Sequence, residues 1–216
     1  MKAKLKVPNK LSEITLGQYQ KYLKIQDKNE DPYFLQCKLI EIFCNLDAKS
    51  VRLMRVNDVS RISNIINQMF DKQTNLVRNF SMSGTDYGFI PDLENMTFGE
   101  YIDLDSYIND WKNMHVAMNV LYRPIKSKVG EKYLIEDYKI DTKDNMLKMP
   151  MNVVLGSISF FFRLGLDLSK VMTNYLDNNQ REDLTAYLSS IGNGDGINQF
   201  MHSLEEILQN SKISLN

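Results

Sequence analysis

A chain of 216 residues, 43% hydrophobic and 25% charged, is long enough to bury a real core and too apolar for a disordered linker. Its 26 Lys+Arg and 27 Asp+Glu leave a net charge of -1, so no global field attracts nucleic acid or an acidic membrane. The balance is uneven: residues 1–75 hold 13 Lys+Arg against 8 Asp+Glu, and the remainder 13 against 19.

At the start, Met1–Val7 alternates Lys2, Lys4 and Lys6 with Ala3, Leu5 and Val7 until Pro8, the period of two of a strand. Three readings fit this segment: a solvated edge strand or mobile tail, an arm reaching a neighbouring subunit, and a phosphate contact. As an arm, its interface residues are Lys2, Lys4, Leu5, Lys6 and Val7. It lacks the apolar stretch of a secretory signal, which predicts a soluble protein made in a cytoplasm.

The sharpest local signal follows. Ile14-Thr15-Leu16-Gly17-Gln18-Tyr19 recurs 82 residues later as Met96-Thr97-Phe98-Gly99-Glu100-Tyr101. Each copy spells a capping box, with Thr as N-cap and Gln or Glu three residues on. Each also spells a hydrophobic staple from the residue before the cap to the tyrosine. The first box predicts a helix over about 16–26. Asp31-Pro32 starts a second, about 32–45, with Leu35, Leu39, Ile42 and Phe43 on one face. Asp47 caps a short helix holding Val51 and Leu53. Asn57 or Asp58 opens another over about 58–72, striped by Val59, Ile62, Ile65, Ile66, Met69 and Phe70.

Ser83-Gly84, Gly88 and Pro91 interrupt the helical period, and Tyr87–Ile90 reads as a short strand. The second box predicts helices over 97–105 and about 106–122, the latter striped by Tyr107, Trp111, Met114, Met118 and Leu121. Pro124 stops it. Within 125–141, Tyr133-Leu134-Ile135 is β-prone, and with Met1–Val7 and Tyr87–Ile90 it makes a candidate small sheet. Pro150 starts the longest apolar helix, about 150–176. Its greasiest part, Val153–Phe162, is far short of the ~20 residues a membrane span needs. Gly156 and Gly165 in that helix invite close approach by another helix. Helices at about 179–190 and 196–210 close the chain. Each capping box leads a short helix and then a longer one, so either two related helix pairs arose by duplication or two common motifs arose independently.

No chemical motif is comparably specific. Cys37 and Cys44, about 10 Å apart on a helix face at a rise of about 1.5 Å per residue, cannot form a disulfide within that helix. Without a CxxC spacing they suit buried apolar roles in a reducing compartment. Gly192–Gly196 lacks the preceding strand and following Lys-Ser/Thr of a phosphate loop, and reads as a helix stop and turn. Glu100, Asp103, Asp105 and Asp110 form the densest acidic cluster. Glu100 and Asp103, with His115, are the candidate ligands of a metal-dependent enzyme, although Glu100 is also the capping residue. His115 and His202 are the only histidines, and neither stands in a nucleophile–base pattern. Twelve methionines read first as core filler and second as an adaptable interface. Lys2, Lys4 and Lys6 lack interleaved aromatics, so DNA contact is incidental at most.

Three segments together carry a resemblance: Ile90-Pro91-Asp92-Leu93 through Thr97–Leu104, Asn113-Met114-His115 to Leu121-Tyr122-Arg123-Pro124, and Met149-Pro150 to Phe160-Phe161-Phe162. Their order resembles particle or assembly proteins of tailed bacteriophages, notably the crAss-like phages. The resemblance covers about residues 90–176. It implies a virion protein near the portal and tail, where ring-forming adaptors contact like copies, and it transfers no catalytic, cofactor or metal residue.

The resulting expectation is a mainly α multi-helix bundle with a minor β element. Residues 1–10 form a basic arm or edge strand, and residues 11–216 a single helical domain with possible sub-lobes 11–78 and 90–216. The expected function is a non-enzymatic, homo-oligomeric ring or adaptor of the head-to-tail connector, made in the host bacterial cytoplasm and partnered by itself and by portal or tail proteins. An assembly chaperone or packaged cargo protein is the alternative, and a metal-dependent enzyme the remoter one.

Overall fold

The structure is a computed structural model that describes residues 5–93, 95–139 and 145–177, with side chains of the last helix followed to Leu164. Four helices come first: α1 (Leu16–Gln26), α2 (Pro32–Phe43), α3 (Ala48–Arg52) and α4 (Val56–Phe70). A hairpin of β1 (Asn79–Met82) and β2 (Thr85–Phe89) follows, then α5 (Phe98–Tyr107) and α6 (Met114–Leu121). The chain continues through β3 (Tyr122–Val129) and β4 (Lys132–Ile135) into the long α7 (Met151–Asp177).

Local chemistry starts these helices as the sequence predicts. Both capping boxes close: Thr15 N–H donates to Gln18 Oε1 at 2.9 Å and Gln18 N–H to Thr15 Oγ1 at 3.2 Å. In the second copy, Thr97 N–H donates to Glu100 Oε2 at 2.7 Å and Glu100 N–H to Thr97 Oγ1 at 3.3 Å. Asp31 accepts the Tyr33 N–H and Asp47 the Ser50 N–H, each at 2.9 Å, satisfying donors the first turn leaves free. α4 differs in beginning at Val56, ahead of Asp58, with Arg55 as an N-cap that makes no side-chain bond.

The fold is mixed α/β and not the mainly α bundle with a minor β element that the stripes predict. About 15% of it is strand, in one antiparallel sheet of order β1-β2-β3-β4. The reason lies in turns and distant pairing. Ser83 and Gly84 both have positive φ, 52° and 80°, so the break seen in the periodicity is a two-residue hairpin turn of the kind that matches strand twist. β3 contains Pro124, Lys126 and Lys128, which reads locally as a stop and a polar linker. It becomes a strand because Tyr122–Pro124 pair with Tyr87–Phe89 across the inserted α5 and α6, and Ile125–Val129 pair with β4 in a local hairpin turning at Gly130. Pro124 has no N–H to give, but its carbonyl accepts from Glu136 N–H at 2.9 Å.

Two further expectations are corrected. The helix predicted over 106–122 is split by a turn, because the Asp110 carboxylate accepts from Lys112 N–H at 2.8 Å and from Asn113 Nδ2 at 2.7 Å. Trp111 thus lies in the turn, where its ring meets Tyr19 edge-on at 4.9 Å. At the N-terminus, Leu5, Lys6 and Val7 are irregular and not strand, so the candidate small sheet forms without them. Leu5 and Val7 instead gain burial against the chain's own core, leaving Lys6 exposed. Lys2 and Lys4 lie outside the described residues.

One continuous cluster from Leu11 to Phe161 makes the core. On the inner face of the sheet, Phe89 and Tyr122 sit directly opposite each other and their rings pack edge-on at 5.2 Å. Phe89 also meets Phe160 of α7 edge-on at 5.7 Å. Tyr122 is fully buried, and its hydroxyl donates to Val77 O at 2.7 Å beside Ser157 Oγ at 3.0 Å. Ser157, polar within the greasiest stretch, thereby has partners, since it also donates to Val153 O at 3.0 Å. Gly156 does admit a close approach, by the extended strap at Asn75–Leu76 and not by a helix.

The two repeat copies sit differently. Leu16 and Tyr19 are fully buried, whereas Phe98 is 78% and Tyr101 59% exposed, so the second copy has no buried staple. The first box is anchored by a short antiparallel bridge: Leu16 N–H donates to Met149 O at 2.8 Å and Met151 N–H to Ile14 O at 2.9 Å. A Cβ on Gly17 would stand 3.0 Å from Leu147 O, while one on Gly99 meets nothing within 4 Å. Gly17→Ala should therefore cost about 1 kcal/mol through overpacking. Gly99→Ala should gain up to about 0.5–1 kcal/mol from helix propensity. Their urea midpoints are expected to move in opposite directions.

Candidate functional site

The best-defined candidate surface is α5. Phe98, Tyr101 and Ile102, at i, i+3 and i+4, share one helix face and are 78%, 59% and 43% exposed. Large apolar side chains gathered in one exposed patch are what association surfaces present. The opposite face of α5 buries Leu104, with Ile108 just beyond its end, in the core. The helix is thus held by one side and open on the other.

Its hold is electrostatic as well as apolar. Glu100 is buried and divides its two oxygens: Oε2 closes the capping box, and Oε1 accepts from Arg123 Nη1 of β3 at 2.5 Å. Arg123 alternates with the inward-facing Tyr122, so it leaves the sheet on the other face, opposite Gly88. With side-chain exposures of 11% and 5%, this ion pair is largely removed from water, unlike the other ion pairs of the described residues. One turn on, Asp103 accepts the Tyr138 hydroxyl. Burial, together with the Asp103 carboxylate it donates to, raises the Tyr138 hydroxyl well above the ordinary tyrosine range. Two charged contacts thus fix α5 against residues 123–138.

In the first copy the residue matching Glu100 is Gln18, and the difference follows from the second partner. Gln18 Nε2 donates to Ile42 O at 2.8 Å, so an amide is needed there, whereas Glu100 faces a guanidinium.

A second concavity, an open cleft of about 900 Å³, lies between the sheet and α7, with Leu76, Phe89, Ile90, Leu134, Phe160 and Leu164 among its walls. Tyr133 forms one side: its ring lies over Gly88, and its hydroxyl bonds Phe89 O at 2.8 Å and Arg78 O at 3.1 Å. Leu134 and Val129 of the β3–β4 hairpin are exposed beside it, at 65% and 82%.

The structure disperses the candidate chemistry. Glu100 and Asp103 are engaged as described, and His115 Nδ1 lies 3.2 Å from Gln20 Nε2 of α1. Gln20 Nε2 also donates to Trp111 O at 2.7 Å, joining the two halves of the chain. Among the described residues no three His, Cys, Asp or Glu side chains are arranged to hold a metal ion. Cys37 and Cys44 are free thiols, and burial pushes that of Cys44 up to about 11. Met114, Met118, Met146, Met149 and Met151 are core residues. Gly192–Gly196 and His202 lie outside the described residues, as do the helices expected over 179–190 and 196–210. No helix among the described residues is long and apolar enough to cross a membrane.

Phe98, Tyr101 and Ile102 escape the sequence reading although their spacing is legible. The staple pattern assigns Tyr101 to packing, and nothing local says which face of α5 meets the core. No family model, curated protein or solved structure matches this chain.

Proposed function

We propose that this chain is a non-enzymatic structural component of a tailed phage particle, a homo-oligomeric ring or adaptor protein of the portal–tail region. The observation that carries an assembly role is the exposed apolar face of α5, held rigidly from behind by the buried Glu100–Arg123 pair. A pre-ordered surface loses little entropy when a neighbour covers it. The resemblance of residues 90–176 to crAss-like phage particle proteins supports the head-to-tail placement. A ring needs a heterologous interface, with one patch meeting a different patch on the next copy. A one-sided apolar helix suits that geometry. Lys2, Lys4, Leu5, Lys6 and Val7 remain in the proposal as arm residues, with the constraint that Leu5 and Val7 already pack on their own core.

Mass spectrometry of purified virions is the test. The chain is expected in many stoichiometric copies per particle. Its presence in infected-cell lysate together with absence from mature virions would overturn the structural role in favour of an assembly chaperone.

A further inference from the structure

We infer that the exposed face of α5 is the seat of a short apolar segment carrying lysine or arginine, supplied by a partner chain. The inference deepens the assembly reading and rests on it only in requiring a partner. Two observations name the occupant.

The first is the internal repeat, which offers one filled and one open version of the same helix start. At α1 the Leu147–Met151 segment runs along the capping motif. Its main chain bridges Ile14 and Leu16, and Leu147 fills the space before Gly17. At α5 the same motif has an open Gly99, an exposed Phe98, and no main-chain partner for the Phe98 N–H among the described residues. The segment that fills the first seat reads Leu-Lys-Met-Pro-Met, apolar with an exposed lysine. It leaves a 3-10 turn over Asn145–Lys148 and bridges α1 at Met149 and Pro150, and a segment of that kind can satisfy the Phe98 N–H while covering the Phe98 ring and the open Gly99.

The second observation is charge. Between Arg78 and Lys112 the chain has no basic residue, while Asp86, Asp92, Glu94, Glu100, Asp103, Asp105 and Asp110 fall in that interval. Glu100 is neutralised by Arg123. Asp105, one turn beyond Tyr101 and Ile102 on the same face, is exposed and borders the patch. An apolar patch with an acidic border selects a basic, apolar partner by complementarity. It disfavours a second copy's own α5, whose carboxylates would meet these.

The test uses the full chain and a fluorescent peptide of sequence Asn-Met-Leu-Lys-Met-Pro-Met, read by anisotropy. Saturable binding is expected, weakened at least about tenfold by Phe98→Ser with Tyr101→Ser, both exposed positions whose change leaves the core intact. Replacing the peptide's lysine by glutamate should weaken binding several-fold, and raising salt from about 50 to 500 mM should do the same to the native peptide. No binding at millimolar peptide overturns the inference, as does binding equal in the double variant. Sedimentation provides a separate arm: self-association abolished by the double variant, with no peptide competition, would assign the face to a second copy's α5 and also overturn it. Presence or absence in virions is independent of every one of these outcomes.

Discussion

Glu100→Gln is expected to destabilise the protein by about 3–5 kcal/mol, the usual cost of removing one partner from a buried ion pair. The replacement is isosteric and retains the capping oxygen, as Gln18 does in the first copy, so helix initiation is not what is lost. The cost comes from Arg123, whose Nε is already buried without a partner and whose guanidinium would lose the carboxylate it bonds. Urea unfolding of the single and double variants checks this. Adding Arg123→Met to Glu100→Gln should recover much of the loss, since the two residues form one unit and their effects cannot add. Equal losses for Glu100→Gln with and without Arg123→Met would show that the pair is not a coupled contact. Because α5 presents Phe98, Tyr101 and Ile102 through this anchor, the same variant is also expected to loosen the proposed docking face.

Gly156→Ala should destabilise by about 1–3 kcal/mol, against a helix-propensity gain of about 1 kcal/mol that alanine would otherwise bring. The added Cβ would stand 2.3 Å from Asn75 O and 3.0 Å from Asn75 C, both backbone atoms that cannot rotate aside. The strap must therefore shift as a unit. It carries Val77 O, the acceptor of the buried Tyr122 hydroxyl, and Asn75 Oδ1, which accepts from Arg163 Nη1 at 3.3 Å. Calorimetry should show a lowered transition. A transition at or above that of the parent would mean that the strap yields without cost.

The two predictions rest on features that differ in how far the sequence reveals them. Thr15, Thr97, Asp31 and Asp47 are legible as helix starts because each cap closes within three residues, so the neighbours in sequence are the neighbours in space. The stripe of α4 is legible for the same reason, since a helix face repeats within a turn. Glu100 is legible as a capping residue but not as half of an ion pair. Arg123 joins it only when the sheet brings β3 beneath α5.

The chain by itself thus determined where the side-chain-capped helices begin and which long segments are amphipathic, but not the start of α6 or that the neighbour of Gly156 is a strap and not a helix. Tertiary structure alone decided that Tyr122–Pro124 is strand, because its partners Tyr87–Phe89 lie beyond two intervening helices, whereas Ile125–Val129 pairs locally with β4. It also decided the fate of the two Thr-x-Gly-x-Tyr motifs. Their local hydrogen bonds are the same, and their exposure is opposite. Capping is a contact within one turn, whereas burial depends on what other elements pack against the helix. At α1 the Leu147–Met151 segment, Phe70 and Trp111 supply that cover. At α5 no described residue does, and the apolar face stays exposed.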